Sequence, residues 1–482
     1  MSNYIVTIPL KTEKFQEDIL AKKFEECRKI YNSCLAELLK RYNHMRESKE
    51  YRRICKLEKG KDRNRCFNEL NKKYNLTEYS LHLFVKPMYK YFSADAMTAQ
   101  KLATRAYSSF EKLMFHTAKR VNFIKYNEMY SIEGKTNKQG IRFRDTKIFF
   151  NKMIIPVIIK DSDTYLQMVI QGNIKYCRIL KKIIKGKTKW YVQLIIEGNP
   201  PLKYDKETGE VKNNIGKGKV GIDIGTSTVA ICSSKDVKLL ELVPEIQDIE
   251  DKKCKLQRKL DRQRRANNPD NYNENGTIKK QGNKKVKWIK SNKYMKTQNQ
   301  LKELYRKQAE IRKQSHNKLA NYIVSLGNEV YVETMNFKGL QKRSKKTTIN
   351  EKTGKINKKK RFGKSIANKA PAMLVEIINR KLKYEGLEIL KINTFTIKAS
   401  QYNHIKDDYV KKGISERWND FGEYKIQRDM YSAFLLMCTE GNLKEINKDL
   451  CKKEFDNFRK LHNIEVKRIK NSNNKRISSI GI

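Results

Sequence analysis

The chain has 482 residues, and its 105 Lys and Arg against 53 Asp and Glu give a formal net charge of +52. Self-repulsion on that scale disfavours a compact protein unless a polyanion neutralises it, so nucleic acid is the expected partner, through phosphate contacts and counterion release. No apolar run approaches the ~20 residues of a spanning helix, no signal peptide opens the chain, and nine cysteines without a CxxC pair indicate neither a disulfide framework nor a zinc site; the expectation is a cytoplasmic, nucleoid-associated protein with reduced thiols, no membrane contact and no evident protein partner.

Residues 3–10 alternate as a strand does. From about Glu13 the apolar spacing becomes helical, with Phe24, Cys27, Tyr31, Leu35 and Leu38 three and four apart. Helical texture continues to about Ala118, and Ala96 to Phe115 is clearly amphipathic. Residues 13–120 therefore read as a helical lobe inserted after the first strand, which occupies residues 1–12. Between 121 and 203 the texture turns to strands, at Ile148–Phe150, Met153–Ile159 and Lys189–Ile196, separated by turns such as Lys185-Gly186-Lys187. A small antiparallel barrel fits, with residues 3–10 as its first strand. Pro200-Pro201 and the polar run Tyr204 to Lys217 make a linker.

The stretch Lys219 to Ile231 reads as a buried strand, a tight glycine turn and a second strand, with one carboxylate, Asp223, among Val, Ile and Gly. A buried charge needs a partner, and in a hydrolase or phosphotransfer site that partner is commonly a metal ion. A third strand is predicted at Val237–Val243 and a very basic helix at Ile249–Arg265, too cationic on most faces for a core and short of acidic partners one turn away. A loop at Asn267–Lys284 precedes a long helix at Trp288–Leu326, with Leu301, Leu304, Ile311, Leu319, Ile323 and Leu326 inward. A strand at Asn328–Asn336 carries Glu333. The charged stretch Lys338 to Lys360 is read as a mobile loop, either a lid or a simple connector. Pro371–Tyr384 is predicted helical, Leu387–Thr396 extended, Ala399–Tyr424 irregular, and Arg428–Cys438 and Leu443–Leu461 helical, before a polar tail from 463 to 482.

From residue 218 the order is hairpin, strand, helices, strand, helix, strand, and then a helix opening with an acid. That is an RNase H-like α/β layout, which can gather Asp223, Glu333 and Asp429 at one end of a sheet. Three carboxylates suit two Mg²⁺ ions, hard cations that keep waters and leave room for a bridging phosphate. Each acid also has a plainer reading. Glu333 can be a surface glutamate at a strand end, and Asp429 can simply cap its helix. The hairpin Gly221-Ile222-Asp223-Ile224-Gly225-Thr226 could also be the first phosphate loop of an actin- or sugar-kinase-like ATPase. That fold needs further glycine-rich loops, and the 22 glycines here include no Gly-Gly pair.

The Asp223 hairpin, the basic run Leu256 to Pro269, Val332-Glu333-Thr334-Met335-Asn336-Phe337-Lys338-Gly339-Leu340 and Arg428-Asp429 together resemble the TnpB family. These are transposon-encoded RNA-guided nucleases related to type V CRISPR effectors. The resemblance spans nearly the whole chain. It implies a multidomain α+β and α/β protein: a wedge-like β-barrel with an inserted helical recognition lobe, then an RNase H-like RuvC domain over 218–398 and 426–462. The family's triad carries over onto Asp223, Glu333 and Asp429 as catalytic residues and Mg²⁺ ligands. The resemblance further implies a guide RNA encoded near the gene, gripped by barrel and lobe, and double-stranded target DNA cut by one site. Two departures stand out. The family's two CxxC pairs, which form a zinc knuckle, are missing, and no cysteine lies between Glu333 and Asp429. Tyr402-x-x-Ile405 and Trp418-x-x-Phe421 fall in the insertion 399–425 where those cysteines are expected, so an apolar cluster is predicted to replace the zinc; His404 and Asp407 alone are too few ligands. After Asp429 the family's Asn-Ala-Ala is replaced by Met430-Tyr431-Ser432-Ala433, which places a tyrosine beside the expected metals.

The basic helix is expected to track the backbone of a guide–target heteroduplex through Arg258, Lys259, Arg262, Arg264 and Arg265. Aromatics among basic residues, such as Tyr89-Lys90-Tyr91 and Trp288 near Lys285, Lys287 and Lys290, either stack on bases or pack a core. The expected function is an RNA-guided, two-Mg²⁺ DNA endonuclease without zinc. The alternatives are a cleavage-deficient RNA-guided repressor and an unguided RuvC-like nuclease or transposase.

Overall fold

The computed structural model describes the chain except for residues 1, 93, 206, 280–285, 346, 351–353, 355, 358–361, 414–415 and 473–482. The chain divides into two compact units, 1–201 and 202–482, and the boundary falls at the Pro200-Pro201 pair.

In the first unit, strand β1 (Asn3–Pro9) leads into the long helix α1 (Lys14–Glu47). Glu13 and Gln16 form a reciprocal capping box at its start, satisfying two otherwise orphaned N–H groups. The predicted stripe, Phe24, Cys27, Tyr31, Leu35 and Leu38, is buried. Helix α2 (Ala96–Met114), capped by Asp95, packs on α1 and buries Ala99, Leu102, Ala103, Ala106 and Phe110; the alanines let the two backbones approach. Short strands β2 (Ser131–Glu133), β3 (Arg142–Arg144), β4 (Lys147–Phe150) and β5 (Met153–Pro156) follow, then two long ones, β6 (Ile174–Ile184) and β7 (Lys187–Glu197). The last two form a hairpin on the two-residue turn Lys185-Gly186, both with positive φ, the form whose twist matches that of the strands.

The closed barrel is not formed. Among the described residues these strands make a four-stranded sheet, ordered β1-β7-β6-β2, and a separate three-stranded sheet, β3-β4-β5. A single bridge, Leu10 to Val157, links them. Closure needs an unbroken ladder around the whole ring, and strands of three or four residues do not supply one.

In the second unit, β8 (Lys219–Ile224), β9 (Thr228–Ser233) and β10 (Val237–Glu241) form an antiparallel meander. Strands β11 (Glu329–Glu333) and β12 (Leu390–Ile392) add on the other side of β8 in parallel, so the order is β10-β9-β8-β11-β12. Alternation along the strands builds two cores. Val220, Ile222, Ile224, Val330 and Val332 face Ala320, Ile323, Leu374 and Ile378 of helices α4 (Asn292–Leu326) and α5 (Pro371–Lys383). The opposite face, with Ala230, Cys232, Leu239 and Tyr331, packs under helices α6 (Arg428–Met437) and α7 (Lys448–Asn471).

Helix α3 (Gln247–Ala266) is the predicted basic helix, but one face of it is packed against α4. Ile249 and Lys253 are buried, and the Lys253 ammonium is paired with Glu250 at 2.9 Å and donates to Gln308 at 3.0 Å. The segment read as irregular holds two small hairpins, β13 (Tyr402–Asn403) with β14 (Asp408–Tyr409) and β15 (Trp418–Asp420) with β16 (Lys425–Gln427). The tail expected from 463 is helical to Asn471. Ile469 anchors it in the core, and the buried Glu465 accepts the N–H of Leu239 at 2.9 Å, satisfying the exposed edge of the sheet at β10. Residues 473–482 and, within the 338–360 loop, residues 346, 351–353, 355 and 358–360 lie outside the described residues. No described helix is long and apolar enough to cross a membrane.

Candidate active site

Asp223 is the fifth residue of β8 and Glu333 the last of β11. The parallel register pairs Ile222 with Val332, so the two acids stand side by side at one end of the sheet. Asp429 arrives from across this face, in the first turn of α6. Its helix can lie close because residue 221 is glycine: a Cβ there would come within 2.0 Å of the Ala433 carbonyl oxygen and 2.4 Å of the Met437 nitrogen. Gly221 and Asp223 face the same way, and the glycine of this motif thus brings the third acid to the first. Asp429 does not cap its helix. Gln427 does, accepting from the Met430 N–H at 2.8 Å, which leaves the Asp429 carboxylate to face the cleft.

The three acids line one cleft of about 440 Å³, together with Thr226, Ser227, Thr228, Ser400, Arg417 and Arg428. Burial raises the Asp223 carboxyl well above the usual range, and the neighbouring Glu333 and Asp429 carboxylates push it further, partly offset by Arg428. Burial also lifts Glu333 to about 7. Arg417 lies 3.7 Å and Arg428 3.6 Å from the Asp429 carboxylate. Arg428 also donates to the carbonyls of Gly413 and Glu416, both at 3.1 Å, the second of them adjacent to Arg417.

Among the described residues no group of three or more His, Cys, Asp and Glu side chains forms a ready-made metal cage. The donor set nonetheless fits Mg²⁺. It is all hard oxygen, it is crowded with acids that resist ionising together, and it opens onto a polar cleft. Mg²⁺ is commonly held by one or two carboxylates, with waters and substrate phosphates completing its shell.

Of the predicted nucleic-acid contacts, Arg258, Lys259 and Arg262 lie on α3 and are exposed. Arg264 and Arg265 have structural employment. Both pair with Asp261, at 2.6 and 3.0 Å, and they lie over the Trp288 and Tyr272 rings at 5.2 and 4.7 Å. Trp288 therefore belongs to a packed corner, and the helix does have an acidic partner within one turn of both arginines. Sequence does not single out Arg417 or Ser400; both sit in the irregular insertion, where no periodicity marks a cleft-facing residue.

The insertion is held by rings. His404 is buried, and its ring lies 4.5 Å from that of Phe455, with Phe421, Phe434 and Tyr431 within 6.5 Å. The Tyr431 hydroxyl accepts the backbone N–H of His404 at 3.1 Å and lies 2.6 Å from its Nδ1; donation to Nδ1 puts the ring proton on Nε2. Burial lowers His404 to about 4, so the ring is neutral. Tyr431 thus points into this cluster and does not line the acid cleft. Tyr402 is buried here too, but Ile405 is 52% exposed, and His404 fills the place expected of it. Asp407 is taken up by Tyr402 and Lys448.

No protein-family model matches the chain, and no curated protein does. Among solved structures the chain is similar to a protein of the Cas12f1–sgRNA–target DNA complex, at 12% sequence identity and a TM-score of 0.41, covering 90% of this chain and 98% of that one. It is also similar to a chain of a CRISPR-Cas12f ternary complex, at 13% identity and a TM-score of 0.28, covering 88% and 82%. Likeness at this level leaves the function to be read from the cleft.

Proposed function

We propose that the protein is an RNA-guided, Mg²⁺-dependent DNA endonuclease of RuvC type, associated with a transposon. One observation carries the nuclease reading: three carboxylates far apart in sequence, Asp223, Glu333 and Asp429, line one cleft at the end of a five-stranded sheet. Three antiparallel strands extended by two parallel ones, with helices on both faces, suit an RNase H-like domain. Guidance by RNA, target DNA and the transposon link rest on the motif resemblance, with the +52 charge in support.

In this reading Asp223, Glu333 and Asp429 hold Mg²⁺, which when bound activates water and stabilises the leaving oxygen of a phosphodiester. The protein's own groups do the rest. Ionisation of Asp223 and Glu333, disfavoured by burial, is restored by a cation. Arg417 and Arg428 offer donors beside Asp429 for a phosphate entering the cleft, and the hydroxyls of Thr226, Ser227 and Ser400 line its approach. No zinc is assigned to the insertion, because the aromatic cluster occupies its centre.

The test is to express the gene with its flanking DNA and sequence the RNA that purifies with the protein. A single abundant RNA mapping beside the gene, which then directs Mg²⁺-dependent cutting of a matching DNA, is the expected result. A smear of unrelated RNA fragments, with no directed cutting, would overturn the guided reading.

A further inference from the structure

The first unit carries a surface that the acid cleft does not explain. Three aromatic rings in the segment after α2 lie largely in solvent: Phe123 is 50%, Tyr126 77% and Tyr130 48% exposed. Exposed rings are unremarkable on a loose loop, but this backbone is tied down along its length. Asn32 bonds both the N–H and the carbonyl of Ile124, at 2.9 and 2.8 Å, and Arg28 reaches the same carbonyl at 3.1 Å. The Asn127 N–H donates to Glu25 at 2.6 Å, the Tyr130 carbonyl accepts from the Lys181 N–H at 2.9 Å, and Met129 is buried. The chain thus spends its hydrogen bonds holding a platform whose rings have little protein to pack on.

Beside the platform lies a polar pocket of about 320 Å³, whose lining includes Lys101, Arg105, Ser108, Ser131, Glu133 and Arg178. Lys101, Arg105 and Ser108 follow one another at four- and three-residue steps along one face of α2. Glu133 is the one acid in that lining. It pairs with Arg178 at 2.7 Å and Lys101 at 3.3 Å, leaving the pocket net positive. Arg105 donates to the Ser131 carbonyl at 3.1 Å, next to Tyr130, so pocket and rings are contiguous. Lys119, Arg120 and Lys125 belong to the same segment, with Arg120 and Lys125 adding positive charge beside the rings.

We infer that this face binds a single nucleic-acid strand, with bases stacked on Tyr126 and Tyr130 and a backbone phosphate in the Lys101–Arg105 pocket. Rings on a fixed backbone next to a cationic pocket are the two elements such binding needs, and every base presents a face to stack. The charge of the surface favours a polyanion over an apolar protein partner. The strand is RNA or DNA, two sources of the same chemistry. The inference deepens the nucleic-acid side of the proposed function and does not depend on cutting.

The full-length protein, stripped of nucleic acid and kept in EDTA, is titrated with short labelled uridine and thymidine oligonucleotides at rising salt. Tyr126→Ala with Tyr130→Ala is expected to weaken binding of at least one strand about 10-fold or more, without changing the salt slope. Tyr126→Phe with Tyr130→Phe should restore it, since stacking needs only the ring. Lys101→Gln with Arg105→Gln should instead flatten the slope by about 0.7 for each phosphate no longer neutralised. Photo-crosslinks from 4-thiouridine or 4-thiothymidine should map to peptides within 119–131. The strand whose binding weakens tells RNA from DNA. Affinities within twofold of wild type for both strands in the alanine variant, or crosslinks confined to other peptides, would overturn the inference. EDTA removes cleavage from the readout, so an Asp223→Ala protein should bind here as wild type does, and failure of the nuclease reading would leave this result standing.

Discussion

Helix α6 separates two chemistries two residues apart. Asp429 looks into a polar cleft where three acids crowd together, whereas Tyr431 looks into a buried cluster of rings around a neutral histidine. Asp223 is raised by burial and by its carboxylate neighbours and Glu333 by burial, whereas the histidine is lowered by burial, and the two sides therefore oppose each other in their pH dependence. The cleft stores unfavourable charge that a cation can relieve. The cluster stores none and stabilises outright, and it stands where a metal knuckle would otherwise organise the insertion.

The contrast is broken most forcefully in the cluster. Phe434 is fully buried and stacks on Phe458 at 4.5 Å; Phe434→Ala should cost about 3–5 kcal/mol, read by chemical denaturation. Asp429→Asn, in the first turn of the same helix, should leave stability intact or raised while cutting is lost. Next in size is the pH effect of His404. Its folded pKa of about 4 lies below its ordinary value of 6.5, so its contribution is fully present above pH 6.5 and is lost as pH falls through 4. The loss is on the order of 3 kcal/mol. His404→Phe with Tyr431→Phe removes both hydrogen-bonding partners together and should flatten that window in a denaturation series.

Glu333 behaves with the opposite sign. Its folded pKa of about 7 exceeds the ordinary 4.5, so its contribution is present below pH 4.5 and is lost as pH rises through 7. Glu333→Gln should then raise the melting temperature above pH 7, by the equivalent of about 1–3 kcal/mol, while abolishing cutting. Mg²⁺ should stabilise the wild type and not this variant. The smallest expected effect concerns zinc: a chelator should leave the melting temperature unchanged in the absence of Mg²⁺, and elemental analysis should find no stoichiometric zinc. A zinc-dependent knuckle would come apart under the same treatment.

The two regions also differ in how much of them could be read from sequence. The cleft was legible because its signals are local and unusual. An aspartate within Val-Gly-Ile-Asp-Ile has few other uses, and Glu333 ends a plain apolar strand; that Gly221 permits the close crossing which places Asp429 emerged only from the structure. The cluster was only half legible. Its apolar character followed from the residues standing where cysteines were expected, but Ile405 turned outward and His404 inward, because a short hairpin has no periodicity to say which side chain faces the core. The pairing of Arg264 and Arg265 was hidden for a related reason: net charge along α3 obscures the acid, Asp261, that both of them meet. The barrel was overread from strand texture alone, since texture does not reveal whether a ladder closes. The end of α7, from residue 463 to Asn471, escaped notice because its inward face, beside Ile469, includes Glu465, a charged residue that is buried where it accepts the N–H of Leu239 on a neighbouring strand.

The most direct test of the central claim is a cleavage assay on DNA matched to the co-purifying RNA, in Mg²⁺, comparing wild type with Asp223→Ala. The account predicts cutting by the wild type and background cutting by the variant, with both proteins folded and both retaining the RNA. Equal cutting by the two would place the activity elsewhere and contradict the assignment of this cleft.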